Sequence, residues 1–332
     1  MHDKTAFITG ITGQDGSYLT ELLLEKGYAV HGLVTPLESA ANSNIRHLVA
    51  NPDIHGKRLF LHTGAFDELT PLRRIIRQVK PDELYHFAGQ SSPRLSFDLP
   101  EVTVDSVGMS TLRLLEILRD LAEETGHLIK FFNASSSEVF GTPTAPAQDE
   151  RTPVNPTTPY GAAKALSQQL VRIYRAAHKL PACSAILYNH ESPRRTEAFV
   201  TMKIARAAAR IKKGLQTELL LGDLGSKRDW GWAPDYVRAM WLMLQQPPAQ
   251  MDDFILATGR LHTVEDLVAA AFGCVGLNWK DHVRHDPALI AAAEPVAPCG
   301  NPAKAARVLG WKNTVPAPEM MERLVRSEYD KP

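Results

Sequence analysis

Residues 4–26 read Lys4-Thr-Ala-Phe-Ile-Thr9, then Gly10-Ile-Thr-Gly13-Gln-Asp-Gly16, then a periodic apolar run from Ser17 to Lys26 closed by Gly27. The first piece has the length and composition of a buried strand and the last has helical spacing, so the glycines stand at a strand-to-helix turn. Glycine there allows a tight turn and close approach of backbone to a pyrophosphate, whose charge meets the helix N-terminus. Working outward, the pattern repeats. Strand-like segments at 28–34, 83–87, 128–132 and 182–188 alternate with helical ones at 71–79, 110–123 and 160–178. Such alternation builds βαβ units, so the expected fold class is α/β, a doubly wound parallel sheet.

After about residue 188 the alternation gives way to helices at 200–213 and 264–272 among loops. The expected division is a dinucleotide-binding Rossmann region over 1–188 and a smaller mixed α/β substrate-binding region over 189–332. Within the second, about 230–258 is expected to return to the first, with 252–257 as a strand. The smaller region is expected to close over the carboxyl edge of the sheet.

The 332 residues suffice for a substantial core. Lys+Arg and Asp+Glu both number 37, a formal net charge of +0. That balance speaks against nucleic acid or an anionic membrane as partner. No run approaches the roughly 20 apolar residues that cross a bilayer. Met1-His-Asp-Lys4 leads straight into the first strand, so no signal peptide is expected. Cys183, Cys274 and Cys299 are odd in number and widely spaced, which suits a reduced cytoplasm and neither a disulfide framework nor a metal site.

Reactive groups gather in two runs. Ser136-Ser137-Glu138 supplies hydroxyls and a carboxylate, and Tyr160-Gly-Ala-Ala-Lys164 sets a phenol and an ammonium on one helical face. A nearby ammonium favours the phenolate, so Tyr160 can act as a base far below its unperturbed pKa of about 10. By itself the Tyr-Lys pair reads as an exposed helical pair; beside a glycine turn and a Ser-Glu run it reads as a proton-handling set. The residue that distinguishes NAD from NADP is expected just past the second strand, where Thr35-Pro36-Leu37 is neither acidic nor basic.

The glycine spacing is the GxxGxxG variant of the short-chain dehydrogenases. Together with 134–141, 160–164, Asn189-His-Glu-Ser-Pro-Arg-Arg195, Arg228-Asp-Trp-Gly231 and Gly300-Asn-Pro-Ala-Lys304, the chain resembles the extended short-chain dehydrogenase/reductases, and among them the GDP-mannose 4,6-dehydratases, almost end to end. The resemblance implies an internal redox reaction on a nucleotide sugar, with GDP-mannose first among the substrates. Tyr160, beside Lys164, would deprotonate the sugar 4-hydroxyl as hydride leaves carbon 4. Glu138 would take the carbon 5 proton, water would leave carbon 6, and the hydride would return there. Ser136, where the family carries threonine, would donate to the developing ketone.

By the same resemblance, Gly10, Gly13, Gln14, Asp15, Gly16, Ala88, Gln90, Tyr160, Lys164, His190 and Arg195 hold NADP or NAD. Ser91, Asn189, Val200, Lys203, Arg228 and Glu294 hold the nucleotide sugar. A homodimer is implied, with a homotetramer as the larger alternative. The chain departs from the family at Thr35-Pro36, Ala65, Met202 and Ala291, where charged residues for cofactor, subunit or phosphate contacts are the rule. Arg46 is one candidate to replace the missing cofactor charge. A 4-keto reductase or 4-epimerase is the alternative enzyme, and a regulatory dinucleotide binder the alternative that is not one.

Overall fold

A computed structural model describes residues 4–35, 43–66, 68–143, 147–289 and 296–331. Glu294 and the departures at Pro36 and Ala291 lie outside them. The chain forms two compact units. The first comprises Met1–Gly141, Glu150–Leu187 and Val237–Ile255; the second comprises Thr142–Asp149, Tyr188–Tyr236 and Leu256–Pro332.

The first unit begins with β1 (Thr5–Thr9), the glycine turn and α1 (Gln14–Glu25). It continues through β2 (Ala29–Val34), β3 (Leu59–Thr63), β4 (Glu83–His86), β5 (Lys130–Ala134) and β6 (Ala182–Leu187). These pair in parallel in the order β6-β5-β4-β1-β2-β3, and the strand Phe254–Leu256 extends the sheet beyond β6. The α/β doubly wound class expected from the sequence is what the chain adopts. Helices Leu69–Val79, Ser110–Thr125 and Pro159–Ala177 supply crossovers. Their apolar stripes bury Leu72, Ile76, Leu114, Leu118 and Val171 in one core with Phe7, Leu84 and Phe131 of the sheet.

Two differences from the sequence reading have local causes. β3 escapes a pattern search because it is an edge strand in which only Leu59 is fully buried. The segment Thr142–Asp149 belongs to the second unit, because Gln148 accepts from the Tyr188 hydroxyl at 2.7 Å and from Cys299 N at 3.1 Å. The first region therefore does not run unbroken to 188.

At the opposite end of the sheet from the glycine turn, the buried Glu83 carboxylate accepts from Lys4 Nζ (3.0 Å), Tyr85 Oη (2.8 Å), Gln245 Nε2 (3.1 Å) and Tyr28 Oη (3.2 Å). Removing it leaves several donors unmatched in a dry site. Glu83→Ala is expected to cost about 3 kcal/mol in urea unfolding without changing the reaction catalysed. A loss below about 1 kcal/mol would contradict this reading.

The second unit is built on helices Val200–Lys212, Val264–Gly273 and Ala317–Tyr329, which bury Ile204, Ala208, Leu267, Phe272, Met321 and Leu324 together. Met202, where the family carries arginine, is part of this core. Short paired strands complete it: Asn189–Glu191 with Trp230–Trp232, Lys227–Arg228 with His262–Thr263, and Leu219–Leu221 with Val283–His285.

Candidate active site

Gly10 has φ +71°, and a Cβ there would lie 2.9 Å from Ala88 N; at Gly16 it would lie 2.3 Å from Gly10 O. Both positions demand glycine to fold the turn tightly. Gly13 is different. It caps α1 without a side-chain bond, and a Cβ on it would meet only Gly10 O, at 3.3 Å. It stands at the start of a 12-residue helix, whose N-terminal amides and dipole favour an anion. Gln14 and Asp15 follow in the first turn, joined by a 3.1 Å bond. Asn44 Nδ2 donates to Thr12 O at 3.0 Å, which ties the segment carrying the exposed Arg46 to this turn. Past β4, Ala88 and Gln90 occupy the neighbouring loop. Gln90 spends its amide on that loop: Nε2 donates to Ser92 O at 2.8 Å and Oε1 accepts from Ser92 N. Ser91 beside it is exposed.

The four catalytic candidates gather at the carboxyl end of β5. Ser136 begins the short turn Ser137–Phe140, and its Oγ accepts from Glu138 N at 3.2 Å. That bond fixes the oxygen and leaves the hydroxyl hydrogen to donate elsewhere. Thr158 caps the Pro159–Ala177 helix by accepting from Gly161 N at 2.9 Å. Gly161 then lets the helix press on the Ser136 turn, since a Cβ there would sit 2.5 Å from Glu138 O. The helix that carries Tyr160 and Lys164 is thus packed on the turn carrying Ser136 and Glu138. Lys164 Nζ donates to Ala134 O at 2.6 Å and lies 5.6 Å from the Tyr160 ring centroid. One helical turn further, Gln168 accepts from Ser135 Oγ at 3.1 Å and so steadies the residue before Ser136. Neither Gly161 nor Gln168 stands out from the sequence, because each acts through a contact distant in the chain.

Burial pushes the Lys164 ammonium down to about 8, against the pull of the Asp15 carboxylate. Lowering a lysine makes the folded state release its proton first, so the unfolded chain binds more protons between about pH 8 and 10.5. Stability must then rise with pH across that window, and the burial cost is fully present below it. In the cofactor-free protein, wild type should gain up to about 3 kcal/mol on Lys164→Met between pH 7 and 10.5. Parallel stability–pH curves for the two proteins in urea titrations would refute it.

The second unit carries the remaining candidates. Asn189 and His190 lie on the strand paired with Trp230 and Gly231. His190 Nδ1 donates to Tyr188 O at 2.7 Å, and its ring stacks on Tyr236 at 4.8 Å. Gly231 makes this possible, since a Cβ there would lie 2.3 Å from the Tyr236 ring. Arg195 lies 3.5 Å above the Phe199 ring, with Nε 3.4 Å from the buried Glu191 carboxylate. Val200 opens its helix, and Lys203, one turn on, donates to Leu220 O at 2.7 Å. Arg228 Nη1 donates to Lys227 O at 2.8 Å.

Next to Arg228, Asp229 is fully buried and accepts from Thr258 Oγ1 (2.6 Å), Thr258 N (2.8 Å), Gly259 N (2.9 Å) and Gly300 N (3.3 Å). Burial pushes its carboxyl up while these bonds oppose the shift. It holds two loops around the arginine, a role sequence reading overlooks because the neighbouring charge draws attention first.

Comparison with known proteins gives the family. The family model described as GDP-mannose 4,6 dehydratase matches residues 7–324. GDP-mannose 4,6 dehydratase 1 of Arabidopsis thaliana is 47% identical over 328 residues, covering 98% of this chain and 90% of its own. Among solved structures, dTDP-glucose 4,6-dehydratase of Bacillus anthracis in complex with NAD superposes with TM-score 0.79 at 19% identity, covering 98% of this chain and 96% of that one. RMD of Pseudomonas aeruginosa complexed with NADPH superposes with TM-score 0.74 at 21% identity, covering 99% and 100%. At those identities the two structures speak for the fold alone. With the family model and the plant relative spanning nearly its whole length, the chain belongs to the GDP-mannose 4,6-dehydratase family.

Proposed function

We infer that this chain dehydrates GDP-mannose to GDP-4-keto-6-deoxymannose, using a nicotinamide dinucleotide that accepts hydride from the sugar and gives it back within one turnover. The observation that carries the reading is that the helix bearing Tyr160 and Lys164 packs on the Ser136–Glu138 turn at Gly161, while Lys164 bonds Ala134 O just before that turn. Tyr160 takes the proton of the sugar 4-hydroxyl, and the Lys164 ammonium stabilises its phenolate. Ser136 donates its remaining hydrogen to the oxygen at carbon 4. The new carbonyl acidifies carbon 5; Glu138 takes the proton there and passes it to the hydroxyl leaving carbon 6, which departs as water, and when hydride returns to carbon 6 the proton held by Tyr160 goes to carbon 5. Gly10, Gly13 and Gly16 shape the bed for the cofactor pyrophosphate, and Gln14, Asp15, Ala88 and Gln90 border it; the family resemblance assigns His190 and Arg195 to the cofactor as well. The family resemblance assigns Ser91, Asn189, Val200, Lys203, Arg228 and Glu294 to the nucleotide sugar, with Lys203 and Arg228 matched to its diphosphate.

The test is stoichiometry. Purified enzyme with a trace of cofactor should turn over GDP-mannose many times, with no net change in reduced-nicotinamide absorbance. Consumption of one NADPH per sugar would instead mark a 4-keto reductase.

NADP is the proposed cofactor, because the exposed Arg46 lies two residues from Asn44, which is bonded to the glycine turn. Arg46→Ala is expected to weaken NADP about tenfold and NAD hardly at all, the worth of one charged hydrogen bond. Equal losses for both dinucleotides would overturn the assignment.

A homodimer is proposed from the exposed apolar side chains Leu95, Phe97, Leu99 and Val102, with Ile173 on the helix carrying Tyr160. Light scattering that reads one chain mass at micromolar concentration would contradict it. Among the described residues no helix is long and apolar enough to cross a membrane. A cytoplasmic setting is proposed from the three free thiols, tested by fractionation.

A further inference from the structure

His86 is a buried titratable group that the reaction above does not use. It ends β4 in register with Thr9, the last residue of β1 before the glycine turn. Thr9 Oγ1 and His86 Nδ1 are 2.7 Å apart, and His86 Nε2 and Ser110 Oγ are 3.0 Å apart. The Ser110 hydroxyl points its hydrogen at Ser106 O, 2.7 Å away, so its oxygen accepts from Nε2–H. Nδ1 is then the acceptor for the Thr9 hydroxyl, whose oxygen in turn receives Ala88 N–H at 3.4 Å. One tautomer satisfies every bond. Burial, with the Lys164 charge adding to it, pushes the imidazole down to about 3 and keeps it neutral.

The far end of this chain of bonds returns to the cofactor loop. Ser106 lies in a π-helical turn, Val104–Met109, whose wider winding brings its groups toward the loop after β4. Ser106 Oγ accepts from Gln90 N at 3.3 Å, and Ser106 O sits where a Cβ on Gly89 would be only 2.9 Å away.

We propose that His86 is a positioning residue that locks the glycine turn and the Ala88–Gln90 loop into one rigid bed for the dinucleotide, through Thr9 on one side and Ser110–Ser106 on the other. The proposal rests on the reading that both segments hold the cofactor. It predicts coupled losses of cofactor affinity from residues that need not touch the cofactor.

The test is NADP titration of folded variants, with kcat at saturating cofactor and melting temperature measured alongside. Thr9→Val and Ser110→Ala should each weaken NADP about three- to tenfold, the worth of one hydrogen bond, with kcat within about twofold. The double variant should be no worse than about the weaker-binding single, because either cut breaks the same chain. His86→Asn, which keeps an acceptor for Thr9, should bind NADP more tightly than His86→Leu. Unchanged affinity in the Thr9 and Ser110 variants, or losses that simply add, would overturn the proposal. Gly13→Asp separates it from the reading beneath: an acidic cap suits α1 yet repels a pyrophosphate, and should cost on the order of a hundredfold in NADP affinity. If Gly13→Asp binds like wild type, the cofactor bed itself is misplaced; if only that variant loses affinity, the bed stands and the His86 proposal falls.

Discussion

Tyr160→Phe lowers kcat by about a thousandfold while the dissociation constant for the cofactor changes by no more than about twofold. The ring is almost fully buried, so phenylalanine keeps the packing and removes only the acid-base oxygen. Lys164 remains bonded to Ala134 O, so its charge stays in place with no phenolate to stabilise. The loss therefore falls on chemistry and not on binding, and steady-state kinetics beside cofactor titration separates the two. Turnover within tenfold of wild type would remove Tyr160 from the proton path.

Glu138→Gln should be comparably severe, between about a hundred- and ten-thousandfold in kcat, but should stop the reaction at a different point. The bond from Glu138 to Ser136 and the contact with Gly161 both use the backbone of residue 138, so the turn survives the substitution. The amide cannot accept the carbon 5 proton. Oxidation at carbon 4 remains possible, and a stoichiometric 4-keto sugar should form without elimination. In deuterated water, wild type introduces label at carbon 5 and the variant does not. Exchange at the wild-type rate would mean that another base serves carbon 5.

The elements that a sequence pattern can show are those whose information is local. Thr5–Thr9, the glycines and α1 carry their strand, turn and helix in consecutive residues, and Tyr160 with Lys164 is visible at helical spacing. What stays hidden depends on partners far along the chain. His86 reads as one more residue of a short strand until Thr9 and Ser110 close around it, 77 and 24 residues away. Asp229 gains its role from Thr258, Gly259 and Gly300. Gln148 sits in a proline-rich loop whose place in the second unit is set by Tyr188 and Cys299. Edge strand β3 is hidden for the opposite reason, since its half-exposed residues lack a strong burial pattern. The departures at Thr35 and Met202 are plain in sequence, and for Met202 the structure adds a cause: the position is inside the apolar core of the second unit.

The central claim is that one sugar is oxidised, dehydrated and reduced without leaving the enzyme. GDP-mannose deuterated at carbon 4 tests it directly, with the product read by NMR. Recovery of the deuterium in the carbon 6 methyl group of the same sugar, under trace cofactor, is the predicted result. Deuterium retained at carbon 4, or lost to added unlabelled cofactor, would contradict the account.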